Sequence, residues 1–304
     1  MAVQLQIIYS LVSMVHMKNR KRLMFGLITI AVILTVNCSA DSDNISESPE
    51  NEKTEDLMPE PVYPHPEYNI TLNNLMEKIQ SEPAPVRENI KARPQYFLEL
   101  SRQFLQLPEW ARVLVDRQHP LPEGYAPEDL VLLNTYPLSL NRSNLQLSRS
   151  CMPAVLAMSE AARIDGIELV YSSTFRSYDY QKNLYEGYVA SHGREEADRF
   201  SARPGTSQHQ LGTTIDFGSI TPEFEDTPAG RWLYQNAWKY GFSLSYPEGR
   251  EELTGYMFEI WHYRYITPTG TRLEREFFNG LQQHMLEFYH RHHNFFQENL
   301  KTEG

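Results

Sequence analysis

Apolar residues recur every three to four positions over residues 96–115, a spacing that predicts a helix. Pro120-Leu-Pro122 and Tyr125-Ala-Pro127 then force an extended, turn-rich passage into the apolar run at 130–133. Over 150–165 the stripe Val155, Met158, Ala162 marks an amphipathic helix, and Gly166 is placed to end it. Residues 167–175 read as a buried strand. Ser177 is positioned to cap the next helix, which carries Tyr180, Leu184 and Tyr188 and stops near Gly193. A short strand at 213–217, a helix at 229–240 closed by Gly241, and a long aromatic strand at 256–266 follow. Phe277, Leu281, Met285, Phe288, Phe295 and Phe296 predict an amphipathic helix within 271–304. His290, His292 and His293 fall among or beside its stripe, which favours packing over a second metal site. Helices and strands mix without regular alternation, so the expected fold class is α+β, with a small, mostly antiparallel sheet and flanking helices.

The first ninety residues follow neither period. Lys18-Asn-Arg-Lys-Arg22, an apolar run over 23–36 and then Asn37-Cys38 give the order of an export signal over 1–37, and the fourteen residues of the apolar run fall short of the ~20 of a spanning helix. Met17 stands directly before the basic group and is the expected start of translation. Thr35-Val-Asn-Cys38 resembles a bacterial lipoprotein cleavage box, with Asn37 where a smaller residue is usual; Cys38 would then carry the lipid. That implies an exported protein of the bacterial envelope, anchored at the membrane and facing periplasm or wall. It also leaves Cys151 without a partner. Residues 38–90 read as an acidic, proline-rich disordered tether, with eight acids against Lys53 up to Glu60. Loss of residues 1–37 removes Lys18, Arg20, Lys21 and Arg22 and no acid, moving the net charge from −11 to −15. So acidic a chain, with no basic stripe or phosphate loop, excludes nucleic acid as a partner. One domain is expected over 91–270, followed by the C-terminal helix.

Within that domain Ser207-Gln-His-Gln-Leu-Gly-Thr-Thr-Ile-Asp216 is answered by Glu259-Ile-Trp-His262. Two imidazoles and a carboxylate leave one corner of a tetrahedral zinc open for water, the mark of a catalytic site. Glu259 is a second carboxylate able to take that water's proton. The offsets are awkward, because His209 and Asp216, seven apart, would face opposite sides of one continuous strand. A turn at Gly212 is required between them, and a bulge or strand end between Glu259 and His262. Taken alone, a histidine seven before an aspartate also recurs by chance.

The wider sequence narrows this. Pro120-Leu-Pro122, Asp165-Gly-Ile, Phe175-Arg-Ser-Tyr-Asp-Tyr-Gln181, Arg203-Pro-Gly-Thr-Ser-Gln-His209, Lys239-Tyr-Gly-Phe242, Thr254-Gly255 and residues 259–265 occur in order. Together they resemble the VanY-type D-alanyl-D-alanine carboxypeptidases, zinc peptidases that share a fold with the Hedgehog signalling domain. The resemblance covers residues 110–268. It implies Zn2+ held by His209, Asp216 and His262, Glu259 as catalytic base, and Arg176 beside the developing oxyanion. Gln181, Ser207, Tyr246 and Trp261 would face the substrate, the D-Ala-D-Ala terminus of peptidoglycan stem peptides. Gln208, Thr214, Thr174 and Ile260 stand where the family usually has Glu, Ala, Gly and Pro, and the chain past Ile266 is its own addition. An L,D-carboxypeptidase acting on tetrapeptide stems would use the same ion and base. A non-catalytic, zinc-stabilised module binding peptidoglycan or a protein is a further alternative, disfavoured by the intact Glu259 and Arg176.

Overall fold

The computed structural model describes residues 60–301; the leader, Cys38 and the acidic stretch to residue 59 lie outside the described residues. Three helices come first, α1 (Leu72–Lys78), α2 (Ala84–Ala92) and α3 (Pro94–Leu105). These correct the expectation of a tether reaching residue 90. Two of its prolines start a helix instead of extending the chain: Pro83 is the N-cap of α2 and Pro85 lies in its first turn, and just past the expected tether Pro94 is the first residue of α3. At these positions a fixed φ and a missing N–H cost nothing. Leu75, Ile79, Val86 and Ile90 then fall at helical spacing and are buried, and His65 is buried against Glu99.

A two-stranded antiparallel ribbon pairs β1 (Leu130–Leu132) with β3 (Gln146–Ser148). The main sheet has the order β2-β4-β5-β7-β6, built from Ser139–Leu140, Val170–Ser173, Thr214–Phe217, His262–Tyr265 and Phe242–Leu244. Only its β2–β4 edge is parallel. This is the small, mostly antiparallel sheet of an α+β fold. The last strand is shorter than expected because residues 256–261 turn before pairing begins at His262.

Side chains alternate across each strand. Ile215, Phe217, Tyr171 and Tyr263 pack one face of the sheet against α4 (Met152–Ile164) and α7 (Pro228–Asn236). The opposite face carries Asp216 and His262. Between β4 and β5 run α5 (Tyr178–His192), capped by Ser177, and α6 (Arg194–Phe200).

The C-terminal segment is two helices, not one. α8 (Thr267–Phe277) begins before residue 271, and α9 (Gln282–Glu298) follows a turn through Asn279 and Gly280, both at positive φ. Phe97 of α3 meets Phe277, Phe278, Phe288 and Phe296 at ring separations of 5.1 to 6.5 Å, so the helices from both ends of the described chain share a second apolar core. No described helix is long and apolar enough to cross a membrane.

Candidate active site

Asp216 lies in the central strand β5, directly opposite His262 at the start of β7. Facing residues of an antiparallel pair project to one side. The register alone therefore brings them together, with His262 Nδ1 3.1 Å from Asp216 Oδ1. His209 arrives from outside the sheet. The Ser207 hydroxyl accepts from the His209 backbone N–H at 3.3 Å and opens a single turn, Gln208–Leu211, which Gly212 closes at φ 66°. A Cβ there would sit 2.8 Å from Pro127 Cγ, so both conformation and space call for glycine. The turn removes the parity obstacle and leaves His209 Nε2 3.1 Å from Asp216 Oδ2. Glu259 precedes the strand end; a turn closed by the His262 N–H on the Glu259 carbonyl brings Oε2 to 3.4 Å from His262 Nδ1.

One donor atom each from His209, Asp216 and His262 lies within 4.8 Å of the others, and all three residues are buried. Zinc bonds of ~2.0–2.1 Å set the donors of a tetrahedron roughly 3.3 Å apart, close to the 3.1 Å found here. The outer ring nitrogens are already engaged. His209 Nδ1 donates to the Thr174 carbonyl at 2.7 Å, and His262 Nε2 meets Gln208 Oε1 at 3.2 Å. Both acceptors fix the tautomers, turning the His209 Nε2 and His262 Nδ1 lone pairs inward onto the carboxylate. Lone pairs facing a carboxylate repel unless a cation stands between them, and His209 Nε2 and Asp216 Oδ1 have no hydrogen-bond partner. The residues fit a metal ion. Among the described residues no other His, Cys, Asp or Glu trio converges this way, the C-terminal histidines included.

Burial, with the Arg176 charge adding to it, drives the His209 pKa down to about 4, so the imidazole is neutral and able to ligate at neutral pH. Burial pushes the Asp216 carboxyl up, but His209 and Arg176 more than reverse this and hold it well below the usual range. Glu259 goes the other way: burial, and then the Asp216 charge, push it well above the usual range, with Arg176 offsetting part. Arg176 itself donates from Nη2 to Asp216 Oδ2 at 2.6 Å and from Nε to Ser173 Oγ at 3.0 Å.

These groups form one wall of a cavity of about 350 Å³. Of the residues expected to face substrate, Arg176, Ser207, Tyr246 and Trp261 line it. Gln181 does not. It is buried, and its amide donates to the Ala202 carbonyl at 2.7 Å, so it braces the Ser201–Ala202 stretch that forms part of the lining. Residues 144–268 match a family model described as VanY: D-alanyl-D-alanine carboxypeptidase. Over 190 residues the chain is 34% identical to YodJ of Bacillus subtilis (strain 168), covering 59% of this chain and 70% of YodJ.

The chain belongs to the VanY family. The bifunctional D-Ala-D-Ala dipeptidase and D-Ala-D-Ala carboxypeptidase VanXYC of Enterococcus gallinarum is 34% identical over 164 residues, 50% of this chain and 82% of its own. The solved LdcB LD-carboxypeptidase superposes with a TM-score of 0.55 at 31% identity, over 60% of this chain and 88% of that one. As a VanY-family member the chain is an enzyme, a carboxypeptidase. Its match ends at residue 268, yet the site reaches further: Gln282 of α9 is hydrogen bonded to Gln208, beside the candidate ligand His209. Sequence reasoning missed Gln282 and its neighbour Ser245, because single polar residues far apart in the chain carry no periodic signal. Tyr256 and Met257 of the cavity wall were missed as well.

Proposed function

We propose that this VanY-family enzyme is a zinc carboxypeptidase that removes the terminal D-alanine from peptidoglycan stem peptides ending in D-Ala-D-Ala. One observation carries the reading: the inward lone pairs of His209 and His262 meet Asp216 beside a carboxylate, Glu259, that is not one of the three converging donors. Zinc held by those three side chains would supply a Lewis acid that polarises the scissile carbonyl and acidifies water. Glu259 takes a proton from the attacking water and returns it to the leaving amine. The water oxygen joins the penultimate carbonyl carbon, the C–N bond breaks, and D-alanine departs. The Arg176 guanidinium steadies the developing oxyanion and braces Asp216. Ser207 keeps its hydroxyl proton free for the substrate's terminal carboxylate, while Tyr246 and Trp261 shape the cavity. The family to which the chain belongs, and the D-Ala-D-Ala activity in the name of VanXYC, support this substrate. The leader and Cys38 support an exported, lipid-anchored enzyme of the envelope.

A second reading, an L,D-carboxypeptidase acting on tetrapeptide stems, is favoured by the likeness to LdcB. Incubating the zinc-loaded protein with defined pentapeptide and tetrapeptide stems separates the two. Release of D-alanine from the pentapeptide is expected. Release from the tetrapeptide alone moves the assignment to the second reading, and release from neither removes both.

A further inference from the structure

The two ligand histidines are held differently. A backbone carbonyl fixes His209, whereas His262 depends on the side-chain amide of Gln208, which can rotate end over end. With its oxygen toward His262, Gln208 accepts from Nε2–H and leaves Nδ1 bare for a metal. Reversed, it presents NH2 to Nε2, and the proton must sit on Nδ1, the atom that faces Asp216. Such a protonated nitrogen cannot ligate.

Three buried side chains close a circuit around this amide. Gln208 donates to Gln282 Oε1 at 3.2 Å, Gln282 donates to Ser245 Oγ at 3.3 Å, and the Ser245 hydroxyl donates to Gln208 Oε1 at 2.7 Å. Gln208, Ser245 and Gln282 are all at most 3% exposed, so water is not at hand to replace a lost partner. Gln282 is the first residue of α9, past the end of the VanY match.

We propose that Gln282 is a positioning residue for the metal site, acting through Gln208 to keep His262 in its ligating tautomer. This rests on the zinc peptidase reading and adds a part to it. Run in reverse, the circuit is also closed, but it ends with Nδ1 protonated. With Gln282 in place the ligating orientation leaves no group unsatisfied. Without it, that orientation strands both hydrogens of the buried Gln208 amide, whereas the reversed orientation serves them through Ser245 and His262 and strands the Gln208 oxygen instead, a loss that buried acceptors tolerate better than buried N–H groups do. Metal binding must then work against an unmet buried donor. The appended helix is in this way tied to the chemistry as well as to the core.

The test is zinc affinity of the metal-free protein, measured by competition with a chromophoric chelator. Gln282→Leu should bind zinc about tenfold or more weakly than the natural protein, the usual scale for loss of a group that orients a ligand. Its His262 imidazole should move toward the Nδ1-protonated form by nitrogen NMR. In a Gln208→Glu background the carboxylate has no hydrogen to strand and only accepts from His262. There Gln282→Leu should change affinity by less than about threefold. Gln282→Met carries the same comparison if the leucine variant does not fold. A folded Gln282 variant with natural zinc affinity overturns the proposal and leaves the peptidase reading standing, as does an equal loss in both backgrounds. A natural protein that takes up no zinc overturns that reading, and this proposal with it.

Discussion

Glu259 and its neighbours differ by what each has left to do. The candidate ligands have their outer atoms engaged and their inner atoms bare, whereas Glu259 stands 3.4 Å from His262 Nδ1 with a carboxylate pushed toward proton retention. Glu259→Gln keeps the shape and removes the proton acceptor. Zinc content by atomic emission should stay near one ion per chain, as the reading requires, while D-alanine release falls ~10²-fold or more. His209→Ala should instead lose the metal. Undiminished release from Glu259→Gln would show that the base lies elsewhere. Much of this site was legible from residues alone, since Gly212 between His209 and Asp216 and the close pair Glu259 and His262 are local patterns. The supports were not. The Thr174 carbonyl is backbone and carries no residue signal, and Gln181 has the same composition whether it faces substrate or, as here, the Ala202 carbonyl.

The elements at the two ends of the described chain show where composition misleads. Prolines at 83 and 85 give a stretch the look of an extended linker, although proline is favoured at the start of a helix, where both of them stand. Only the burial of Leu75, Ile79, Val86 and Ile90 distinguishes the cases, and burial depends on partners from α8 and α9 nearly two hundred residues later. The helices Met152–Ile164, Tyr178–His192 and Pro228–Asn236 and the strand Thr214–Phe217 were legible because their patterns are complete within each element, whereas the short α6 and β6 carry too few residues to show a period. Phe97 is the keystone of the end-to-end core, fully buried against four other rings. Phe97→Ala should lower stability by ~3–5 kcal/mol, read as a shift of the urea midpoint. A near-neutral result would return residues 60–105 to the role of a loosely held extension.

For the molecule as a whole, pH enters stability through a carboxyl remote from the catalytic wall. Glu274 of α8 is buried, and that burial raises its pKa from 4.5 to about 7, with the Ser243 hydroxyl and Arg275 offsetting only part. The folded state thus holds this proton more tightly than the unfolded chain does. Its stabilising contribution is complete below the unfolded pKa near 4.5, declines as pH rises, and is gone above about 7. Each pKa unit corresponds to about 1.4 kcal/mol, so the loss across that window is about 3 kcal/mol. Other carboxyls act in the opposite direction: the Glu82 carboxyl, despite burial, is held low by His284 and Arg291, and what it contributes is lost as pH falls through its folded pKa. A single variant separates the two effects. Glu274→Gln stays neutral throughout, so the urea midpoint of the variant should gain on that of the natural protein from about pH 5 to about pH 7 and level off above, with the variant the more stable at the upper end. A difference between the two proteins that stays constant over that range would mean that Glu274 ionises in the folded protein as it does in the unfolded chain.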